Sequence, residues 1–570
     1  MKSWKKVLSA CLAVLMLTGC SAAPGSSASD TGKENSSASG TESSAADDGW
    51  TLAATDPWAA YPETITYTVG KAAPDASYSG LDGTEYEGDN EENNIRTRFY
   101  EKHLNAKMKL AFSAASGEAY DQQVSMALVS GEIPDIMCVS DYTTVKQLAE
   151  NDLIADLTDV YETVASDITK DLYDSYDGRC LNGASVDGRL MALPGTTIDT
   201  GAELLWLRQD WMDELGLEAP KTIDDLKGIM DAFMEKVGDG AVGMALCNDL
   251  YGNLMDIKGF ANAYGAYPRY WVQQDDGTLV YGSTTPEMKQ TLEALADLYQ
   301  NGYLDEEFHV NDGTKAAEDL VNDKCGVLYG WHATALWPLQ DNLNQNPDAD
   351  WRPYQIVTSE ESAEVTPGIN MMTSSWYAVS SECEHPEALV ELLNLYCEKV
   401  FDPELNEYSY YANPGDGLEG VWRLSPVSLN SPDKNQQTAK AIAEPLKTGD
   451  PGDLYGEQLS MYEYSKAAQD GDTTLWGWNR VFGEGGSQML LIDYENDENV
   501  KLVRDQFYGV ATETMSMRKT TLDTVLDEAF IKIITGQTTA DEFDTVVESW
   551  YSAGGQDMTD EVNEWYQAQQ

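Results

Sequence analysis

The chain has 570 residues, with 97 Asp and Glu against 36 Lys and Arg, for a formal charge of −61 at pH 7. Phosphates are met by clustered Lys and Arg, so nucleic-acid binding is excluded as a working expectation. The acidic excess reads as a solvated surface, with the gathering of cations or basic peptides as the alternative. Hydrophobic residues at 42% are ample for large cores, and the length suits two or three domains.

At the N-terminus, Lys2, Lys5 and Lys6 precede the apolar run Val7 to Leu17. That run is too short to span a bilayer and stay there. Leu17-Thr18-Gly19-Cys20 follows and resembles the lipobox of bacterial lipoproteins. The resemblance implies a signal peptide over residues 1–20, cleaved before Cys20, whose thiol carries a diacylglycerol. Loss of the three lysines takes the formal charge from −61 to −64. The expected location is the cell membrane, through the lipid, facing the extracellular side. Residues 21–57 read as a disordered tether, because Ser21 to Asp48 is almost entirely Ser, Ala, Gly, Thr and acids. Such a segment cannot bury enough apolar surface to offset its ordering entropy.

Thr64 to Val69 alternates as a first strand, and a polar loop runs from Gly70 to Asn94. Ile95, Phe99 and His103 fit one helical face, and Lys107 to Phe112 reads as a second strand. Tyr120, Val124 and Leu128 predict a helix that Gly131 closes, followed by a buried parallel strand over Ile133 to Val139. Strand, helix and parallel strand make a βαβ unit. Thr222 with Asp225 forms a capping-box start, and Pro286 sits at a helix N1. That second helix carries Met288, Leu292, Leu295 and Tyr299, and Gly302 ends it. Pro386 opens a helix with Leu389, Leu392, Leu393 and Tyr396 inward. A late helix buries Leu522, Val525, Leu526, Ala529 and Ile533 and closes at Gly536. The fold class is α/β with more than one sheet. Beyond the signal, no apolar stretch approaches a membrane span.

Eight cysteines are present; Cys11 leaves with the signal and Cys20 takes the lipid. The spacing of Cys138, Cys180, Cys247, Cys325, Cys383 and Cys397 suits neither a zinc site nor a dense disulfide framework. Buried free thiols are expected at Cys138 and Cys397, and a single pairing among the six stays open. His103, His309, His332 and His385 make no metal-binding spacing, and neither a G-x-S-x-G elbow nor a Walker A sequence occurs. Gly238 to Gly243 spells G-x-G-x-x-G but follows a helix, the wrong context for a dinucleotide. No cofactor, no metal and no catalytic residue is expected.

Several segments together resemble family 1 extracellular solute-binding proteins, the binding components of carbohydrate ABC importers. Ser130-Gly131-Glu132-Ile133-Pro134-Asp135-Ile136 is similar to their S-G-D-x-P-D-I, and Gly188 to Pro194 to their G-K-x-Y-A-L-P. Asn151 to Leu157 resembles the segment that follows the first motif. Leu205 to Leu226 is similar to their L-W-I-R-K-D-W-L-D-K-L-G-L-x-x-P-K-T-x-x-E-L. The tail from Phe543 to Tyr566, with Trp550, Gly554-Gly555 and Glu561 to Trp565, resembles the long lipoprotein branch. The resemblance implies a two-lobe, type II periplasmic-binding-protein (Venus-flytrap) fold with several hinge crossings. The expected lobes are residues 58–200 with 372–430, and 201–371 with 431–570. Crossings are expected near Gly195 to Leu204, near Met371 to Trp376, and within residues 425–450. Many relatives carry a calcium loop where this chain has only Gly238-Asp239-Gly240, too few oxygen ligands for a cage.

The resemblance implies a receptor, expected as a monomer, for a carbohydrate ligand, with ABC importer permease subunits as partners. An extracellular glycoside hydrolase and a peptide- or cation-binding lipoprotein are the alternatives. Fifteen Trp and 31 Tyr against 10 Phe favour flat rings with polar edges, the faces on which sugars stack. Ligands of open α/β sheets sit beyond the carboxyl ends of strands. Asp141 and Tyr142 follow one such strand, and Asp141 either accepts sugar hydroxyls or caps a helix. Trp331 follows the strand-like Gly326 to Tyr329, where related sugar binders carry a stacking Trp. Trp376 falls at a crossing, and Trp476 and Trp478 in a Gly-rich loop. Asn248 and Asp249 end another strand, and Asn90 and Glu91 lie in the long first loop. Trp206 and Arg208 belong to a family motif and are read as structural, with Arg208 pairing Asp210 or a helix C-terminus.

The lipobox generates a first test. Cys20→Ser removes the only thiol that can take the diacylglycerol there. The variant is expected in the soluble fraction of fractionated cells, with the parent chain in the membrane pellet; a variant that still pellets overturns the lipobox reading.

Overall fold

Ile65, Tyr67 and Val69 alternate along the first strand, and Tyr67 and Val69 turn into a core. The computed structural model describes residues 60–73, 90–198, 201–361, 363–369, 373–402, 405, 424–509 and 511–569. Cys20, the tether and most of the loop after Gly70 lie outside the described residues. In chain order the first strands are β1 (Ile65–Ala72), β2 (Ala106–Ala114), β3 (Ile136–Val139), β4 (Ser185–Val186), β5 (Arg189–Leu190), β6 (Leu193–Thr196) and β7 (Leu204–Arg208). Then come β8 (Trp271–Gln273), β9 (Leu279–Tyr281), β10 (Val327–Gly330), β11 (Trp351–Tyr354), β12 (Gly368–Ile369), β13 (Thr373–Val379) and β14 (Val503–Arg504).

The first sheet has the order β2-β1-β3-β13-β6. β1 lies parallel to β2 and β3, as the βαβ reading requires, while β13 runs antiparallel between β3 and β6. The third strand is shorter than its apolar run, starting at Ile136 rather than Ile133. Pro134 has no N–H to give a ladder, and the Asp135 carboxylate takes over the pairing. It accepts from the Thr68 N–H at 2.7 Å and the Thr68 hydroxyl at 2.8 Å, while its own N–H donates back to that hydroxyl at 3.0 Å. The motif Ser130 to Ile136 is therefore a helix stop, with Gly131 at φ 73°, followed by a side-chain clasp onto β1.

The second principal sheet is β10-β7-β11, antiparallel throughout, with every residue of β7 buried. Its period of two separates two cores. Leu205 and Leu207 face one containing Phe233, Leu292, Leu526 and Trp550. Leu204 and Trp206 face the other, with Leu328, Ile442 and Phe482. The first sheet has its own core, with Val69, Met137, Leu392 and Tyr396. The chain passes between these bodies after β6, between β12 and β13, and from Asn430 into the helix Lys434–Thr448.

Helix signals in the sequence correspond to helices in the structure. Thr222 and Asp225 form a reciprocal capping box, and Pro286 is the first residue of a helix capped by Thr285. The helix Glu513–Ile534 corrects one expectation. Val525 is 43% exposed, because Leu522, Leu526, Ala529 and Ile533 already complete the inward stripe and Val525 falls outside it. All six cysteines that follow Cys20 are free thiols, and burial pushes Cys138 up to about 11 and Cys397 to about 12. Among the described residues, no helix is long and apolar enough to cross a membrane.

Asp135→Ala removes a carboxylate that accepts two hydrogen bonds across two strands, an interaction of about 1.5–3 kcal/mol for charged acceptors. The variant is expected to melt at lower temperature, with Asp135→Asn between it and the parent chain, as read by calorimetry.

Candidate functional site

Leu204 opens β7 and pairs with Gly330, the last residue of β10. Glu203 and Trp331 therefore emerge together at one end of the second sheet, the end where the chain arrives from the first. Trp206, one turn of the pleat inside, donates its indole N–H to the Gly330 carbonyl at 3.2 Å and fixes that corner. Trp331 is half-buried, its N–H bonded to the Asn253 carbonyl at 3.0 Å. Its carbonyl accepts from the Thr334 hydroxyl at 2.8 Å, so the backbone beneath the ring is held from both sides.

A small cavity opens at the same corner, lined by Glu203, Lys258, Asn262, Tyr267, Tyr270 and Gly368 among others. Tyr267 and Tyr270 stand nearly parallel, ring centres 6.5 Å apart. Asn262 is committed, donating to the Ala266 carbonyl at 3.1 Å and accepting the Gly368 N–H at 2.8 Å. Glu203 and Asp256 are each 1% exposed. They share one cation, the Lys258 ammonium, at 3.3 Å from Glu203 and 3.6 Å from Asp256. Burial lifts both carboxyls above the usual range, and Glu203 adds to the lift on Asp256. Burial alone would lower Lys258; the two carboxylates outweigh it and hold the ammonium charged. Two buried acids against one base leave an excess of negative charge in low dielectric, which favours retention of a proton among them.

Across the gap, Arg179 comes from the first body and lies over the Tyr508 ring at 4.9 Å. Its guanidinium donates to the Asp505 carbonyl and the Gln506 side chain, both at 3.2 Å. Trp565, from the family-like tail, packs edge-on against Phe507 and Tyr508 at 4.8 and 4.9 Å. The two bodies meet tightly here. A β-carbon on Gly183 would stand 2.8 Å from the Tyr508 carbonyl oxygen.

The candidates read from sequence separate into groups. Trp331 stands at the crossing end, and Asn248 and Asp249 are exposed in the loop that reaches Asn253 beside it. Glu91 accepts from Ser113 at 2.7 Å, at the carboxyl end of β2, with Asn90 turning the loop that carries it. Asp141 is a helix cap, its oxygens accepting from the Thr144 N–H and hydroxyl. Tyr142 and Trp376 are corrected to core: they are 6% and 7% exposed, with ring centres 6.0 Å apart. The Tyr142 hydroxyl donates to the Ser185 carbonyl. Trp478 is also packing, between Tyr464 at 5.7 Å and Phe482 at 6.3 Å. Trp476 lies beside Arg480, which pairs with Asp350 at the opposite end of β7. Both belong to a helix, Trp476–Phe482, rather than to a loop. Glu203, Lys258, Tyr267 and Tyr270 were missed; for Glu203 the signal was an acid directly preceding four apolar residues, Leu204 to Leu207. Among the described residues, no cluster of three or more His, Cys, Asp or Glu could hold a metal ion.

The model of the bacterial extracellular solute-binding protein family matches residues 82–397, more than half of the chain. This chain belongs to that family. Among curated relatives of this solute-binding protein, Lipoprotein LipO of Bacillus subtilis is 24% identical over 489 residues, covering 82% of this chain and 88% of the relative. The polygalacturonan/rhamnogalacturonan-binding protein YtcQ of Bacillus subtilis is 23% identical over 372 residues, covering 63% and 66%. The structure of the Streptococcus pneumoniae ABC-transporter substrate-binding protein FusA with kestose superposes with a TM-score of 0.57 at 13% identity. It covers 89% of this chain and 100% of FusA. The α/β solute-binding-protein fold thus holds for the whole described body.

Asp505 gives this solute-binding protein a measurable pH response. It lies half-buried beside the contact with Arg179 and accepts the Trp271 and Phe507 N–H groups, both at 3.0 Å. Burial raises its carboxyl from the ordinary 3.8 to about 7, against the pull of those two bonds. Between those values the folded protein holds a proton that the unfolded chain has released, so this group's contribution to stability falls as pH rises from 3.8 to about 7. Asp505→Asn is expected to flatten the fall in Tm over that window; an unchanged slope would remove Asp505 as its source.

Proposed function

We propose that this chain is a lipid-anchored receptor that captures an oligosaccharide and delivers it to the permease subunits of an ABC importer. The observation that carries the reading is Trp331. A half-buried indole stands on a braced backbone corner, beside a cavity with two tyrosines and several hydrogen-bonding groups. Aromatic faces against the CH side of a sugar, with polar groups at the ring edges, make a sugar site. Support also comes from the names of relatives, a polygalacturonan/rhamnogalacturonan-binding protein and a fructooligosaccharide ABC transporter substrate-binding protein. The lipobox supplies the anchor.

In this reading the site has two halves. Trp331, Asn248 and Asp249 belong to the second body; Asn90 and Glu91 lie on the first, with Asp141 left to its helix cap. Open lobes admit ligand, and closure brings the halves together around it. Ligand drives closure only through its better binding to the closed form. The contact of Arg179 with Asp505, Gln506 and Tyr508 is part of what closure forms. No covalent step is involved, so incubation with labelled oligosaccharides should give stoichiometric capture and no turnover.

A thermal-shift screen across a glycan library is expected to find sugars that raise Tm, because ligands of the native state stabilise it. Trp331→Ala then removes a stacking face of roughly 1–3 kcal/mol by analogy with other stacking platforms. Calorimetry should show affinity lowered about tenfold to more than a hundredfold, with the ligand-free Tm nearly unchanged. Unaltered affinity in a folded variant would remove Trp331 from the site.

A further inference from the structure

We propose that Asn253 contacts the ligand: its side-chain N–H donates to an oxygen of the sugar stacked on Trp331, and Lys258 is the positioning residue that turns the amide outward to do so. The inference rests on the oligosaccharide reading and adds a second ligand-contacting residue, with the kind of atom it takes. Register puts the two side chains together. Leu254 pairs antiparallel with Gly330, the last residue of β10, so Asn253 stands directly opposite Trp331. The Trp331 N–H donates to the Asn253 carbonyl at 3.0 Å and the Met255 N–H to the Tyr329 carbonyl at 2.9 Å, one bond on each side of that bridge. Residues opposite one another in an antiparallel pair project to the same face, with β-carbons about 4.5–5.5 Å apart. The other face is taken by Leu254, whose side chain would stand 2.8 Å from a β-carbon on Gly330. Asn253 is exposed and Trp331 half-buried, so the face they share is open to a ligand.

Charge fixes which end of the amide faces out. The Lys258 ammonium donates to Asn253 Oδ1 at 3.4 Å. An ammonium carries only donors, so it faces the amide oxygen and never the amide nitrogen. Nδ2 is thereby turned away, and among the described residues it has no acceptor. Lys258 is itself held in place. Its ammonium lies 3.3 Å from Glu203 and 3.6 Å from Asp256, and its main-chain N–H donates to Asp256 at 2.7 Å. With one proton retained between the two acids the buried triad is electrically neutral, while the ammonium keeps its charge toward Asn253. The triad thus has a use on the open side of the corner: it orients an amide that water alone would leave to rotate. An N–H at the rim of a stacking ring takes an acceptor, here a hydroxyl, ring or glycosidic oxygen of the sugar on Trp331.

The full-length protein is screened by thermal shift with kestose, maltotriose, cellotriose, xylotriose and trigalacturonate, and the trimer that raises Tm most becomes the probe. Asn253→Ala should weaken that trimer about three- to tenfold in calorimetry. The ligand-free Tm should hold, because the side chain is exposed and the carbonyl that braces Trp331 is main chain. Asn253→Asp has the same shape and no donor, and should weaken binding at least as much. Lys258→Met should weaken binding in the parent chain but add no further loss in Asn253→Ala, since the ammonium acts through the amide. Equal losses in both backgrounds would overturn the positioning role of Lys258. Should Lys258→Met fail to fold, the two Asn253 variants decide alone. Parent-like affinity in folded Asn253→Ala and Asn253→Asp would overturn the proposal, while a loss in Trp331→Ala would leave the oligosaccharide reading standing. Failure of every trimer to shift Tm would overturn the oligosaccharide reading itself and this proposal with it.

Discussion

The second body is organised by one buried guanidinium. Arg208, 1% exposed at the end of β7, forms a bidentate pair with Asp210 at 2.8 Å and a further pair with Asp323. Its plane lies over Trp211 at 4.3 Å, with Trp351 at 5.6 Å. A cation withdrawn this far from water is tolerated only when carboxylates and ring faces replace the solvent on every side. The partners come from three places: the helix that follows the strand (Asp210 and Trp211), the turn before β10 (Asp323) and β11 (Trp351). Satisfying one charge therefore fixes how β7, β10 and β11 assemble. The family motif around Trp206 and Arg208 is structural on this account, and its effect reaches the opposite end of the sheet, where β7 and β10 deliver Glu203 and Trp331.

At that opposite end the buried Glu203 carboxylate is among the polar groups left without a hydrogen bond. Both ends set two acids against one base, but Asp210 and Asp323 at the Arg208 end keep contact with water, whereas Glu203 and Asp256 are buried with Lys258. Binding sites are commonly the places where local satisfaction is incomplete, since a group already satisfied has nothing to offer a ligand. The contact of Arg179 with the Asp505–Tyr508 segment fits the same division. It uses a cation, a carbonyl and a ring face at a partly exposed seam, a combination that can be broken and remade without stranding a charge in a core.

Local periodicity carried much of the fold. Alternation marked β1, the i, i+4, i+8 stripe with Gly131 marked the helix before β3, and capping residues marked the helices at Thr222 and Pro286. Asp135 shows where such reading stops. An apolar run of seven residues suggested a longer strand, and only the folded structure reveals a carboxylate standing in for ladder bonds with Thr68. The site was less legible for a related reason. Glu203, Lys258 and Tyr270 are distant in sequence and meet because β7 and its neighbours bring their ends together. Aromatic identity could not separate Trp331, on an open corner, from Trp376 and Trp478, whose neighbours cover them. Asp141 was ambiguous in sequence because the same carboxylate geometry that accepts a sugar hydroxyl also caps a helix, and here Thr144 occupies it.

Two of the three passages between the bodies are stitched to each other. The Thr196 hydroxyl donates to the Asn430 carbonyl at 3.0 Å and accepts the Asn430 N–H at 2.9 Å, and the Asn430 side chain donates to the Thr196 carbonyl at 3.0 Å. Strands that leave a body side by side and bonded cannot slide past one another, though each can still bend. In the proposed closure this stitch resists shear between the two segments and leaves bending as the easier motion. Under the proposed function, that would leave a permease chiefly one angle by which to tell the closed form from the open one.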